Sequence, residues 1–196
     1  MKPRSTISPA LRALLAAAAL TSGAAQAAPQ NFTLDAANTH VHWEVRHFGT
    51  STSRGRFDAV EGSIKLDREA HSAVVTIAIN TASINTGIAP FNGVLRGPQL
   101  LATDEHPSAY FVAQKASFDG DQLATLFGEF TLRGVSRPLT LRATQFGCRN
   151  ETEPLAREVC GGDFEGEFNR SDFGITHSLP FVADRVRLVI QVEAFR

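Results

Sequence analysis

The chain contains 196 residues, of which 43% are hydrophobic and 20% are charged, and its formal net charge at pH 7 is −1. This length is sufficient for one domain with a hydrophobic core. A chain without excess positive charge lacks the clustered basic surface that binding to a phosphate backbone requires. We therefore expect no nucleic-acid partner.

The first 27 residues have the layout of a secretory signal peptide. Lys2, Arg4 and Arg12 supply a basic start, residues 13–20 are an uninterrupted apolar run, and residues 25–27 form a small-x-small cleavage site. The apolar run is about half of the roughly 20 residues that a membrane-spanning helix needs, so we expect cleavage after residue 27 and no stable membrane anchor. Residues 28–196 then form the exported domain. Its net charge is −4, because three basic residues and no acidic residue lie in the removed segment.

The stretch from residue 35 to residue 62 predicts antiparallel strands. Odd positions of HVHWEVRH (residues 40–47) are mostly apolar, while even positions are polar or charged. This period of two is typical of a strand with one buried and one solvated face. A turn rich in Gly, Ser and Thr is predicted at residues 49–55, and Phe57 begins the next strand.

The rest of the chain repeats the same scheme. Further strands are predicted at residues 63–67, 73–80, 107–118, 123–132, 138–146, 164–169 and 186–195. Residues 81–103 break the alternation with two prolines and scattered apolar residues, and they predict one or two short helices over a barrel end. About eight short strands predict an all-β fold, an eight-stranded antiparallel barrel able to hold one small ligand.

Side chains on the inward faces of these strands are the candidates for the lining of such a cavity. The candidates are Val41, Trp43, Val45, His47, Phe57, Val75, Ile77, Ile79 and Phe111. Most follow from the parity of their positions alone. An ordinary packed core is the alternative interpretation of the same residues.

Cys148 and Cys160 are the two cysteines of the chain. In an exported protein an isolated pair predicts a disulfide. It would close the polar, irregular segment between the two residues and stabilise the fold by roughly 2–3 kcal/mol in the chain-entropy model.

No catalytic residue and no metal site can be nominated from the sequence. On a strand His40 and His42 share one face and His47 lies on the other, so the three histidines cannot converge on one ion without a β-bulge. No nucleophile elbow, phosphate-binding loop or dinucleotide-binding glycine pattern is present. Glu165 and Glu167 alternate with phenylalanines and are expected to face solvent.

The segment Arg-Ser-Asp-Phe-Gly at residues 170–174 is the remaining dense cluster. Arg170 and Asp172 are interpreted either as a structural ion pair that closes a barrel end or as contacts for a polar head group at the mouth of the cavity.

Several motifs, taken in this order, resemble the YceI-like family of polyisoprenoid-binding periplasmic proteins. They are DAANTHVHWEVRHFG (35–49), GRF (55–57), Gly62, ASINTG (82–87), GEFTL (128–132), GV (134–135), RP (137–138), CG (160–161), RSDFG (170–174) and VEA (192–194). The resemblance covers the whole of residues 28–196. It implies an extended, lipocalin-like barrel whose apolar tunnel takes an isoprenoid quinone or a polyprenyl lipid.

The resemblance also implies a periplasmic binding, transport or storage protein that is not an enzyme. It would need no cofactor beyond the bound lipid and would form a homodimer if it self-associates. Asn38 and Val94 stand where many members of the family carry His, which removes two imidazole groups. Residues 100–101 (Leu-Leu) replace a common Phe pair, and Ala183 replaces a Gly.

Two further functions stay open at this point. An exported enzyme would act on a lipid or quinone through His47 and a nearby acid. A scaffold that binds partners during envelope stress would have a well-packed interior with no tunnel.

Overall fold

The computed structural model describes residues 28–153 and 155–196, and the predicted signal peptide lies outside this range. Within it the chain forms eleven strands and one α-helix. The strands are β1 (Gln30–Leu34), β2 (His40–His47), β3 (Ser51–Phe57), β4 (Val60–Asp67), β5 (Ser72–Asn80), β6 (Ile84–Asn85), β7 (Ser108–Asp119), β8 (Gln122–Leu132), β9 (Val135–Asn150), β10 (Glu158–Asn169) and β11 (Val182–Phe195). The helix α1 spans Ala89–Arg96, and short 3₁₀ helices span Thr81–Ser83 and Arg170–Phe173. None of the helices in these ranges has the length and apolarity needed to cross a membrane.

Eight of the strands close into a barrel. The hydrogen-bonded order is β1-β4-β5-β7-β8-β9-β10-β11, and β11 pairs with β1 again through Thr33 opposite Phe195 and Leu34 opposite Ala194. Each neighbouring pair in this ring is antiparallel. Closure removes the exposed strand edges that would otherwise promote aggregation. The predicted all-β, eight-stranded antiparallel barrel is confirmed.

The remaining strands lengthen one end of the barrel. β11 is 14 residues long, so its C-terminal end pairs with β1 while its earlier residues pair with β2, from Gln191 opposite His40 to Val182 opposite His47. β3 then pairs with β2, and the short β6 pairs with β3. Between β1 and β2, Asp35 Oδ1 accepts a hydrogen bond from the Ala37 amide at 3.0 Å and holds the turn.

Alternation of side chains explains why the core lies inside the ring. In β5 (SAVVTIAIN) the residues Ala73, Val75, Ile77 and Ile79 are buried, while Val74, Thr76 and Asn80 are exposed. Successive side chains of a strand point to opposite faces, so one set fills the barrel and the other contacts water.

The helix α1 lies at the barrel end formed by the loops that follow β2, β5, β8 and β10. Arg133, in the hairpin between β8 and β9, donates hydrogen bonds to the carbonyls of Pro98 and Leu100 just after the helix. The Thr86 amide donates to Asn92 Oδ1 at 2.9 Å and fixes the entry to the helix. The prediction of a short helix within residues 81–103 is therefore confirmed.

Several strand boundaries differ from the sequence prediction, and two of the differences change how a segment is interpreted. Residues 51–57 form β3, although a turn was predicted over residues 49–55 and the next strand was predicted to begin at Phe57. Only the tip between His47 and Ser51 turns, and Phe57 is the last residue of β3. Ser, Thr and Arg side chains are tolerated there because β3 is largely exposed on its outer face, and pairing with β2 satisfies its backbone.

The second difference concerns the cysteines. β9 continues to Asn150 and β10 begins at Glu158, so Cys148 and Cys160 lie directly opposite each other on paired strands. They form the predicted disulfide. It therefore joins two regular strands, and the irregular segment is shorter than expected because cross-strand hydrogen bonds continue past both cysteines.

Candidate functional site

A cavity of about 350 Å³ lies inside the barrel. Its wall consists almost entirely of apolar side chains contributed by strands around the whole ring, together with residues of α1 and of the segment that follows it. Such a cavity has the shape and the polarity of a site for a hydrophobic small molecule.

The nine residues predicted from parity all lie on the wall of this cavity. Val41, Trp43, Val45 and His47 come from β2, Phe57 from β3, Val75, Ile77 and Ile79 from β5, and Phe111 from β7. Eight are buried or half-buried, whereas His47 is exposed at the barrel end. Their contact with a ligand stays a prediction.

Sequence reasoning missed a second half of the wall. The additional residues include Phe130, Leu132, Leu139, Leu141, Phe164, Phe168, Leu188 and Ile190. These lie at alternate positions of β8, β9, β10 and β11, so the same parity argument applied to those strands could have found them. Phe91, Val94 and Leu95 of α1 also line the cavity. No periodic signal in the sequence assigned them to it.

Two glycines each make room for an aromatic ring carried by the strand next to their own. A Cβ added at Gly55 would lie 2.5 Å from Cζ2 of Trp43, and one added at Gly128 would lie 2.6 Å from Cε2 of Phe111. The rings therefore rest directly on the backbone of β3 and β8. Trp43 is 8% exposed, and its Nε1 has no hydrogen-bond partner among the described residues.

The cavity opens at the barrel end that carries α1. Wall residues at the opposite end, such as Leu66, Ala73 and Leu123, are buried. Exposed wall residues, by contrast, lie near α1: His47 at the end of β2, Phe91 and Val94 of the helix, and His177 and Ser178 in the loop before β11. This end is called the mouth below.

Polar side chains of the wall are concentrated at the mouth. Those there are His47, Ser53, Arg170, His177 and Ser178. Thr39, just before β2, is the polar wall residue away from the mouth, and its hydroxyl already donates to the Glu193 carbonyl at 3.2 Å. A ligand with one polar end would therefore find hydrogen-bonding groups at the mouth and hydrocarbon beyond it.

Arg170 lies on the wall near the mouth and is 5% exposed. Its guanidinium donates to four backbone carbonyls: Nε to Ala183 at 2.9 Å, Nη1 to Ile175 at 3.1 Å and to His177 at 2.9 Å, and Nη2 to Val182 at 2.9 Å. Burial lowers the pKa of Arg170 from its usual value, and the nearby Asp184 carboxylate acts in the opposite direction. Arg170 therefore holds together the loop that forms one side of the mouth.

Asp172 does not share this environment. It is exposed and lies off the cavity wall, and within the part of the chain that the structure describes it forms no ion pair with Arg170. The carboxylate close to Arg170 is instead Asp184, which accepts hydrogen bonds from the amide of Ser171 at 2.8 Å and from its hydroxyl at 2.6 Å. The structural ion pair considered for Arg170 and Asp172 is not formed, because the 3₁₀ helix turns Asp172 outward.

The three histidines of β2 do not converge. His40 and His42 lie on the outer face with ring centroids 6.0 Å apart, whereas His47 lines the mouth. Partial burial is the main cause that lowers the pKa of His42, and the charges of His40 and Arg56 act in the same direction. Cys148, Glu158 and Cys160 are the one cluster of potential metal-ligating side chains in residues 28–153 and 155–196. Its two cysteines are bonded to each other in the disulfide, so they do not offer thiolates to a metal ion.

Two carboxylates of the outer face, those of Glu44 and Glu165, are paired with arginines. Glu44 accepts from Arg54 Nε at 2.7 Å and from Arg187 Nη1 at 3.0 Å, and Glu165 accepts from Arg187 Nη2 at 2.7 Å. The hydrogen bond from Arg54 is the main cause that lowers the pKa of Glu44. His47 lies away from this network, with its ring centroid 4.6 Å from that of Phe48, and no described carboxylate is ion-paired with it.

Comparison with known proteins gives the family. The model for the YceI-like domain matches residues 32–194. The chain belongs to the YceI-like family. Protein YceI of Salmonella arizonae is 32% identical over 180 residues, which cover 91% of this chain and 93% of that protein. The resemblance recognised from the sequence motifs is confirmed.

Solved structures share the YceI-like barrel. BcnA of Burkholderia cenocepacia matches with a TM-score of 0.67 at 18% identity, over 82% of this chain and 98% of that chain. A polyisoprenoid binding domain from Saccharophagus degradans, implicated in plant cell wall breakdown, matches with a TM-score of 0.61 at 18% identity, over 83% of this chain and 97% of that chain. At these identities the likeness shows the fold.

Proposed function

We propose that this YceI-like chain is exported to the periplasm and binds a long-chain isoprenoid lipid, of the quinone or polyprenyl type, without transforming it. The observation that carries the proposal is the apolar cavity inside the barrel, which opens at one end and has most of its polar wall groups at that mouth. The alternative of a scaffold with a solid interior predicts no such cavity. An enzyme acting through His47 would need an acid beside it, and none is paired with it among the described residues.

Burial of hydrocarbon supplies the binding energy in this proposal. Removing a CH₂ group from water is worth about 0.8 kcal/mol, so each five-carbon isoprene unit contributes about 4 kcal/mol relative to water. The inward-facing Val, Ile, Leu and Phe side chains need no directional contacts with such a chain. The wall therefore favours long apolar ligands over small polar ones.

The polar end of the ligand would stay at the mouth. Ser53, His177 and Ser178 offer hydrogen-bonding groups there, and His47 adds an imidazole. Arg170 uses four of its N–H groups on backbone carbonyls, so one N–H on Nη2 remains for a ligand oxygen. Val94 lines the same mouth. Asn38 does not, because its side chain is exposed and donates to Asp35 Oδ2 at 3.1 Å.

Similarity to the Saccharophagus domain supports an isoprenoid as the ligand, since that protein is described as polyisoprenoid-binding. The chemical fit is independent of this likeness. A branched, unsaturated chain has no polar atoms, and the cavity wall beyond the mouth presents almost none.

The test is titration of the purified protein with an isoprenoid quinone supplied in detergent micelles, followed by fluorescence and native mass spectrometry. Trp43 is the one tryptophan of the chain and lines the cavity, so we expect saturable quenching of its emission and a complex of one-to-one mass. Quinone bound without any change in Trp43 emission would remove this residue from the binding site.

A pair of variants on β7 separates cavity binding from adsorption to the surface. Ala109→Phe places a ring inside the cavity, whereas Val112→Phe adds the same group on the outer face of the same strand. We expect Ala109→Phe to weaken binding at least about tenfold and Val112→Phe to leave it unchanged. If Ala109→Phe does not fold, Val75→Phe tests the same wall from β5. Equal binding by a folded cavity variant and its control would contradict the proposal.

Export is tested separately. Protein recovered from a periplasmic fraction should begin at Ala28 by N-terminal sequencing or intact mass. Full-length protein confined to the cytoplasm would contradict this part of the proposal without affecting lipid binding.

A further inference from the structure

The most exposed large hydrophobic side chains gather at the mouth. Phe48, Ile88, Val94 and Phe181 are each 59–61% exposed, and Leu155 is the one other described residue of this kind at that level. Phe91, at 36%, lies on the same helix as Val94. We call Phe48, Ile88, Phe91, Val94 and Phe181 the collar.

The collar residues lie around one opening, and two of them are in direct contact. Phe48 follows β2 and Phe181 precedes β11, and the Phe48 amide donates to the Phe181 carbonyl at 2.7 Å. Their rings are stacked with centroids 5.5 Å apart. His47 and Val182, which are adjacent in sequence to Phe48 and Phe181, line the cavity. Phe91 and Val94 of the helix line the same cavity. The collar therefore borders the opening.

Phe48 occupies its position against its own backbone preference. Its φ is +50°, in the left-handed region that is unfavourable for a bulky residue. At an exposed hairpin tip Asn or Gly would meet this requirement without cost. A large aromatic ring that is held in such a conformation and is still 59% exposed favours a functional role for this position.

Charge around the collar is different from that of the whole protein. Residues 46–50, 86–101 and 174–182, which carry the collar, contain no Asp or Glu, whereas the chain as a whole has a net charge of −1. Arg46 and Arg96 lie in these segments and both are exposed. An apolar patch with exposed arginines beside it is complementary to an anionic lipid surface.

We propose that the collar docks the mouth onto an anionic phospholipid bilayer, so that the ligand passes between the membrane and the cavity without crossing water. The proposal rests on the proposed function, because a polyisoprenoid dissolved in water carries the full hydrophobic penalty of its chain. Phe and aliphatic side chains insert into the boundary between head groups and acyl chains, and arginines pair with anionic head groups at the same depth.

The experiment is sedimentation of the purified protein with vesicles of phosphatidylcholine alone and with vesicles that also contain phosphatidylglycerol. We expect binding to the second kind and a decrease of that binding at high salt. The test variant is Phe48→Asn with Phe181→Gln; Asn suits the positive φ, so the hairpin should fold. Its matched control is Tyr110→Gln with Phe127→Gln, which removes two exposed aromatic rings from the barrel wall.

The collar variant should bind vesicles at least about tenfold more weakly, as expected when two aromatic rings no longer enter an apolar phase. It should also extract an isoprenoid quinone from vesicles more slowly, while its uptake of quinone from detergent micelles stays unchanged. The control should match the unmodified protein in all three measurements.

Failure of this proposal is distinguishable from failure of the proposed function. Uptake from micelles with no vesicle binding, or equal vesicle binding by both variants, would overturn the collar proposal alone. Vesicle binding through the collar with no uptake of quinone from any source would overturn the proposed ligand. If light scattering shows a dimer that the collar variant converts to a monomer, the collar is a surface for self-association and not for lipid.

Discussion

The contact between Gly55 and Trp43 gives the sharpest test of how the cavity wall is built. Trp43 on β2 rests on the backbone of β3 at Gly55, with which it is paired directly. Gly55→Ala adds one methyl group at that place. It changes no charge and no hydrogen bond.

The expected cost follows from the distances. The added Cβ would lie 2.5 Å from Cζ2 and 2.7 Å from Cε2 of Trp43, and 2.9 Å from the Asn85 carbonyl oxygen. Carbon atoms in favourable contact are about 3.5–4.0 Å apart, so the indole must move by about 1 Å, and the cavity is the space open to it. Overpacking of this kind costs about 1–3 kcal/mol, which corresponds to a decrease of about 2–12 °C in Tm for a domain of this size.

The measurement is thermal and urea unfolding together with the emission spectrum of Trp43. Gly147→Ala is the matched control, because a Cβ at Gly147 on β9 would meet nothing within 4 Å. We expect the control to stay within about 0.5 kcal/mol of the unmodified protein, and Gly55→Ala alone to shift the emission and to weaken quinone binding. Equal stability of the two variants with unchanged emission would refute the packing of Trp43 on Gly55.

The remaining predictions concern the mouth loop, the disulfide and pH. Arg170→Met leaves four carbonyls without their donor and should lower the free energy of unfolding in urea by about 3 kcal/mol or more; a loss below 1 kcal/mol (about the value of one hydrogen bond) would contradict the structural role. Replacing Cys148 and Cys160, 12 residues apart, by Ser should lower the free energy of unfolding by about 3 kcal/mol. If a reductant does not change the urea midpoint of the unmodified protein, this result would argue against the disulfide. Burial lowers the pKa of His42 below its ordinary value of 6.5. The contribution of the neutral His42 side chain to the free energy of unfolding is therefore complete above pH 6.5. It is lost as the pH falls below that value, because the unfolded chain takes up the proton first. His42→Gln should therefore flatten the decrease in stability between pH 7 and 5 (about one unit either side of the ordinary pKa), and an unchanged pH profile would refute this cause.

Strand identity and the inward faces could be predicted from the sequence because they depend on local periodicity. Val75, Ile77 and Ile79 alternate with exposed residues in β5, and a strand places alternate side chains on one face whatever its neighbours are. The nine predicted wall residues lie where that rule puts them. Motifs in a fixed order were likewise sufficient to recognise the family.

Boundaries of elements were less predictable. The Ser- and Thr-rich residues 51–57 form a strand because β2 provides backbone partners for them. The cysteines lie in paired strands for the same reason. Hydrogen bonds between segments that are distant in the chain determine these strand boundaries, and the local composition does not show which segments will pair.

Only the tertiary structure decided whether the apolar residues surround a cavity or fill a core, since that depends on how the rings from all sides of the barrel meet. The four carbonyls around Arg170 belong to residues 175, 177, 182 and 183, and the folded loop alone turns them toward one guanidinium. Phe48 and Phe181 are 133 positions apart and stack because β2 and β11 pair with His47 opposite Val182. The sequence by itself determined which side chains point inward; strand register and barrel closure determined the cavity, its mouth and the collar around it.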